Sequence, residues 1–172
     1  MPNPRSKPRP TSQSVDDYLK AVYTLSADTD RRVGGSELAA ELHVAPASIT
    51  NMLQKLAAAK PPLLDYQRSK GVRLTTVGRR RALEIVRHHR LIETFLSEVL
   101  DYPVEKLHDE AERLEHFISE DFEARIAEKL GHPYADPHGH CIPSIDGKMP
   151  TIHGVSCKCG TREIDAAHKV AH

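Results

Sequence analysis

The stretch from residue 36 to residue 74 constrains the fold more than any other part of this 172-residue chain. Residues 36–42 place Leu38, Ala39 and Leu42 at helical spacing, and residues 47–59 repeat the pattern with Ile49, Met52, Leu53 and Leu56. Between them His43-Val44-Ala45-Pro46 reads as a turn. Pro46 is tolerated at the start of the second helix, where its missing N–H has no partner to lose. Pro61-Pro62 ends that helix. Residues 63–66 and 72–74 then read as two short strands joined by Gln67-Arg68-Ser69-Lys70-Gly71, a turn with a basic tip and the glycine such turns need.

Helix, tight turn, helix and basic-tipped hairpin make up the winged-helix arrangement, in which the second helix enters the DNA major groove and the hairpin reaches phosphates beside it. Ala47, Ser48, Thr50 and Asn51 fall on the outer side of the second helix. Small and hydroxyl side chains suit backbone and thymine-methyl contacts, and an asparagine pairs with an adenine edge. Lys55, Arg68, Lys70, Arg73 and Arg79 are the expected phosphate anchors. The alternative is a protein-interaction module whose lysines are only solvated. Charge distribution favours DNA: residues 1–90 carry 16 Lys/Arg against 8 Asp/Glu, a net of +8, and the rest carries the reverse. A basic half suits a polyanion and an acidic half suits cations.

The remainder reads as mainly helical. Residues 1–13, rich in Pro, Ser and Arg, read as a flexible basic arm. Residues 16–25 carry Leu19, Val22 and Tyr23 behind a cap candidate, Ser14. Residues 76–100 form one long helical pattern that opens on Arg79, Arg80 and Arg81 and continues through Ile85, Val86, Leu91, Ile92, Phe95 and Leu96. Tyr102-Pro103 breaks it, and helices are expected over 104–117 and 120–130. From Gly131 onward Pro and Gly recur without a period, which predicts a loop-rich tail. With no long apolar run and no signal-peptide core, the expectation is a cytoplasmic protein with no membrane partner. Cys141, Cys157 and Cys159, an odd number, predict no closed intrachain disulfide framework. Cys157-Lys-Cys159 near His153 lacks the spacing of a zinc pair. His138, His140 and Cys141 read as loop residues, and His168 and His172 as disordered.

Cation chemistry is concentrated in the second half. Glu112, Glu115 and His116 stand at i, i+3, i+4, with His108 one turn earlier, and His89 and Glu93 form an i, i+4 pair on the long helix. Such a face is either solvated or receives a cation. Oxygen-rich ligation with imidazole nitrogen suits Mn(II) or Fe(II) better than structural zinc, which favours thiolates. Two histidines and a carboxylate also hold catalytic iron in some enzymes. No second catalytic group accompanies them here, so neither an enzyme nor a small-molecule substrate is expected.

Taken in order, several stretches resemble the diphtheria toxin repressor family of iron- and manganese-dependent transcriptional repressors. They are Ser14-Val-Asp-Asp-Tyr-Leu-Lys-Ala-Val-Tyr23, Gly71-Val-Arg-Leu-Thr75 with Gly78-Arg-Arg80, His89-Arg-Leu-Ile-Glu93, His108-Asp-Glu-Ala-Glu-Arg-Leu-Glu-His116 and His138-Gly-His-Cys-Ile-Pro143. The resemblance implies a homodimer on a palindromic operator in double-stranded DNA. It further implies a winged-helix domain over 14–76, an all-helical dimerisation and metal-binding domain over 77–143, and a tail, 144–172, too short for the SH3-like third domain of longer members. Asp17, Glu112, Glu115 and His116 are the implied primary metal site, and His89, Glu93 and His108 the ancillary one. Iron-type members carry methionine and cysteine where this chain has Asp17 and Glu112, whereas manganese-type members carry carboxylates there. Lys20 stands where manganese-type members often have a glutamate that helps build a paired site. The implied function is a Mn(II)-activated repressor of metal-uptake genes. Fe(II) is the second choice, and a metal-independent winged-helix regulator is the remaining alternative.

Overall fold

The computed structural model describes residues 13–26, 29, 31–152 and 155–156. The basic arm apart from Gln13, the Cys157/Cys159 pair, His153, His168 and His172 lie outside these residues.

The first helix, α1 (Gln13–Ser26), begins before Ser14, which therefore sits inside the first turn instead of capping it. The helices α2 (Gly35–Glu41) and α3 (Pro46–Ala57) follow, joined through His43 at φ 52°, with Pro46 in the first turn of α3. At the entry to α2, the Glu37 carboxylate accepts a hydrogen bond from the Gly34 N–H at 2.7 Å. The wing is the antiparallel pair β1 (Leu64–Gln67) and β2 (Gly71–Leu74), in register Leu64↔Leu74 and Gln67↔Gly71. Val33 adds a third rung by exchanging backbone hydrogen bonds with Val72 at 2.7 and 2.9 Å. That rung explains Gly71: its φ is +88°, and a Cβ there would lie 2.3 Å from the Val33 carbonyl oxygen.

The long helix α4 spans Thr76–Leu100, with the bounds expected from its pattern. The Thr75 hydroxyl accepts from the Gly78 N–H at 3.1 Å, a side-chain cap, and Asp101 in the left-handed region closes the helix. After Pro103 come α5 (Val104–Leu114) and α6 (Glu120–Lys129), the latter capped by the Ser119 hydroxyl. A small hairpin pairs β3 (Thr151–Ile152) with β4 (Val155–Ser156).

Two apolar regions share α4. Its first half contributes Ala82, Leu83 and Val86 to a core built from α1, α2, α3 and the wing around Leu19, Val22, Leu38, Leu53 and Val72. Its second half is sheathed on one side by Ile126, Ala127 and Ile142 against Leu91, and on the other by Leu107 and Ala111 against Ile92 and Leu96. A helix of this length rises roughly 37 Å, long enough to join both regions without a linker.

Two expectations need correction. The helix expected over 104–117 stops at Leu114: Glu115 N–H still reaches the Ala111 carbonyl, but Phe117 N–H bonds Leu114, a tightened turn. Glu115 is thus the last residue with helical bonding, and His116 leaves the helix axis. Cys141, expected to be a loop residue in a chain with no intrachain disulfide, is fully buried in the first core and disulfide-bonded, since an odd number of cysteines does not prevent two of them from pairing. Its partner lies outside the described residues. Among the described residues no helix is long and apolar enough to cross a membrane.

Candidate metal centre and nucleic-acid face

The acidic face meets the winged helix where α1 passes the end of α5. Asp17, on α1, puts Oδ1 2.9 Å from His116 Nε2, and Glu115 Oε1 lies 3.2 Å from the same nitrogen. Donor atoms of Asp17, Glu115 and His116 all lie within 4.8 Å of one another. The Glu115 side chain is fully buried and that of His116 nearly so, whereas Asp17 is partly open to solvent. Although carboxylates crowd His116, neither ring nitrogen has an aligned hydrogen-bond partner. Two carboxylates and an imidazole with donor atoms this close to one another suit a shared divalent cation. Burial works against the imidazolium, but Asp16 and Asp17, helped by the charge of Glu115, raise the His116 pKa to about 9. Asp16 is engaged elsewhere: its Oδ1 accepts from Arg81 Nε at 2.6 Å, and its Oδ2 stands 3.8 Å from His116 Nδ1. Burial raises the Asp16 carboxyl, and His116 and Arg81 more than reverse this, holding it below the usual range.

Glu112, placed with the primary set from sequence, faces the other side of Glu115. Lys20 Nζ donates to Glu112 Oε1 and to both Glu115 oxygens, at 3.0 and 2.8 Å, and lies 3.3 Å from His89 Nδ1. His89, Glu112 and Glu115 form their own donor group within 4.8 Å.

The expected ancillary residues also converge. His89 Nε2 is 3.1 Å from Glu93 Oε1, His108 Nδ1 is 3.8 Å from that same oxygen, and the two imidazoles meet edge-on with centroids 5.0 Å apart. A residue read from sequence as a loop residue joins them: His138 Nδ1 lies 3.5 Å from Glu93 Oε2. Its loop is set by Asp136, whose Oδ1 accepts the His138 and His140 N–H groups at 2.9 and 2.8 Å, and Asp136, His138 and His140 form a further donor group. A cavity of about 330 Å³ opens between Lys20, His89, Glu93, His108, Asp136 and His138. The sequence signal for this addition was the Asp136-Pro-His-Gly-His140 crowding itself. No helical spacing ties it to Glu93.

Along α3, Ala47, Ser48, Asn51 and Lys55 are exposed and Thr50 is half-buried. Arg68 and Lys70 stand exposed at the wing tip. A cleft of about 510 Å³ runs between α3 and the wing, lined by Thr50, Tyr66, Arg68 and Lys70 among others. Arg73, its side chain 40 % exposed, is also paired within the wing. Its Nε bonds Asp65 Oδ2 at 2.9 Å, alongside Arg32 at 2.5 Å, and these two arginines, Arg73 foremost, hold the Asp65 carboxyl below its ordinary range. Arg79 is half-buried at the start of α4, beside Arg31 and Arg73. On the last turn of α4, on α5 and its exit and at the start of α6, Val99, Leu100, Tyr102, Val104, Leu114, Phe117 and Phe122 are exposed, Phe117 at 75 %. These exposed apolar side chains make the helical domain the candidate association surface.

Known proteins share this architecture. Residues 10–72 match the iron dependent repressor N-terminal DNA binding domain, and residues 75–144 the iron dependent repressor metal binding and dimerisation domain. The chain is 33 % identical to an uncharacterised helix-turn-helix-type transcriptional regulator of Methanocaldococcus jannaschii, over 67 % of this chain and 90 % of that one. It is 32 % identical to the iron-dependent repressor IdeR of Mycobacterium leprae over 74 % of this chain, which spans about half (54 %) of that relative's length. Among solved structures, a manganese-dependent transcriptional repressor in complex with manganese superposes with a TM-score of 0.72 at 42 % identity, covering 81 % of this chain and 63 % of that one. With a DNA-binding and a metal-binding and dimerisation domain matched in succession, the chain belongs to the diphtheria toxin repressor family of metal-dependent repressors.

Proposed function

We propose that this protein is a Mn(II)-activated repressor of metal-uptake genes, acting in the cytoplasm as a homodimer on a palindromic operator in double-stranded DNA. The observation that carries this reading is the meeting of Asp17, from the DNA-binding helices, with Glu115 and His116, from the helical domain. The carboxylate at position 17, where iron-type relatives carry a sulfur ligand, joins Glu115 and His116 in an oxygen-rich set that favours Mn(II), with Fe(II) second. A divalent ion supplies positive charge that donors from both domains share. Asp17 then holds α1 against the end of α5, and the orientations open to the two recognition helices narrow towards those that match successive major grooves. Phe117, Leu100 and Val104 bury themselves between protomers, and Glu93, His89, His108 and His138 hold the ancillary ion. By linkage, DNA tightens metal binding by the factor with which metal tightens DNA binding, typically about 5–150-fold.

The test is fluorescence anisotropy of an uptake-gene promoter fragment titrated with protein in Mn(II), Fe(II), Zn(II) or chelator. Wild type is expected to bind tightly with Mn(II) and weakly with chelator. Asp17→Ala is expected to keep its circular dichroism spectrum and lose most of the Mn(II) enhancement. Undiminished stimulation of Asp17→Ala refutes the bridge, and equal binding in Mn(II) and chelator by wild type refutes metal activation.

A further inference from the structure

Lys20 lies three residues after Asp17 on α1, so the two side chains share one face and approach the acidic cluster together. The lysine side chain is 17 % exposed, and its ammonium stands among His89, Glu112 and Glu115, touching donor atoms of all three. Those atoms are close enough to one another to ligate a metal ion. A cation already occupies the middle of a cation-compatible cage, and it belongs to the chain.

Charge counting shows what this does. Asp17, Glu112 and Glu115 bring three negative charges to the seam, since Asp16 is matched by Arg81. Lys20 cancels one and leaves two, the charge of a single divalent ion. A second divalent ion would leave a surplus of two positive charges around the fully buried Glu115, or would have to strip Lys20 of its contacts with Glu112, Glu115 and His89. Uncompensated buried charge is among the costliest outcomes in a protein interior.

We propose that Lys20 is the second cation of this centre: its ammonium fills the His89/Glu112/Glu115 position and limits the seam to one divalent ion, held by Asp17, Glu115 and His116. This rests on the metal-centre reading above. Because the lysine comes from α1 and its partners from α4 and α5, the ammonium also holds the winged helix against the helical domain.

Lys20→Met keeps the methylene stem and removes the charge. Calorimetric titration of the full chain with Mn(II) alone is expected to show one more ion per protomer in Lys20→Met than in wild type, with Lys20→Arg at the wild-type count. Electron paramagnetic resonance is expected to show isolated Mn(II) in wild type and an exchange-coupled pair, bridged by the Glu115 carboxylate, in Lys20→Met. An unchanged ion count in Lys20→Met, or a coupled pair in wild type, overturns the proposal. The wild-type spectrum alone decides if the variant fails to fold. Failure of wild type to take up any Mn(II) overturns the metal-centre reading itself, a result distinct from an unchanged count.

Discussion

Gly78→Ala sets two physical effects against each other. In the first turn of a 25-residue helix, alanine is the better helix former, worth up to about 1 kcal/mol over glycine. The packing opposes it. A Cβ at position 78 would lie 1.9 Å from the Leu63 carbonyl oxygen and 2.9 Å from its carbon, closer than any real contact. That carbonyl has no room to retreat, because it accepts from the Thr75 N–H and the Thr75 hydroxyl, both at 3.1 Å. Relief means moving α4 off the wing. Overpacking costs about 1–3 kcal/mol. The Thr75 cap on Gly78 N–H adds about 1 kcal/mol if it is lost. After subtracting the propensity gain, the net expectation is destabilisation by about 1–3 kcal/mol. For a chain of this size that corresponds to a melting temperature lower by roughly 2–12 °C. Thermal and urea unfolding of chelator-treated protein, followed by circular dichroism, measures it. A midpoint equal to or above wild type would refute the reasoning, because it would mean that propensity outweighs the clash.

At the nucleic-acid face, Arg68→Ala is expected to weaken binding to specific and random DNA alike and to lower the salt slope by about 1, whereas Asn51→Ala chiefly relaxes specificity, by about 1–3 kcal/mol at one base. Equal losses on both DNAs for Asn51→Ala would count against base reading. Glu123, buried on α6, accepts from His88 at 3.0 Å and from Arg87, tying α6 to α4. Burial raises its carboxyl, but the two partners more than reverse this, so the folded pKa lies below the ordinary value. Its contribution to stability is therefore full above the unfolded pKa, about 4.3, and is lost as pH falls through the lower folded value. Glu123→Gln is expected to lower the urea midpoint at neutral pH and flatten the acid limb; superimposable acid limbs in variant and wild type would contradict this.

What the sequence discloses here follows the range of the interaction. The bounds of α4 are local: Thr75 caps one end, Pro103 stops the chain soon after the other, and an apolar stripe fills the span. The end of α5 is also local, but Glu115 keeps a helical hydrogen bond while His116 departs, a distinction that spacing does not carry. The division of the acidic face is tertiary. Spacing groups Glu112 with Glu115, yet only the approach of α1 decides that Glu115 and His116 meet Asp17 while Glu112 meets Lys20. His138 reaches Glu93 from 45 residues away along the chain, through a loop with no period to read. Arg73 was legible as a basic wing residue but not as the partner of Asp65, because cross-strand pairing depends on register.

The continuity of α4 has a mechanical consequence. Ala82, Leu83 and Val86 are packed into one core, Leu91 into a second against α6 and Ile92 and Leu96 into a third against α5, all within fifteen residues of unbroken helix. Long helices curve gently, and a sharp kink needs a cause such as an internal proline, which α4 lacks. The two halves of this protein are therefore mounted on one rod, and the recognition helix cannot swing free of the association surface as it would on a flexible tether.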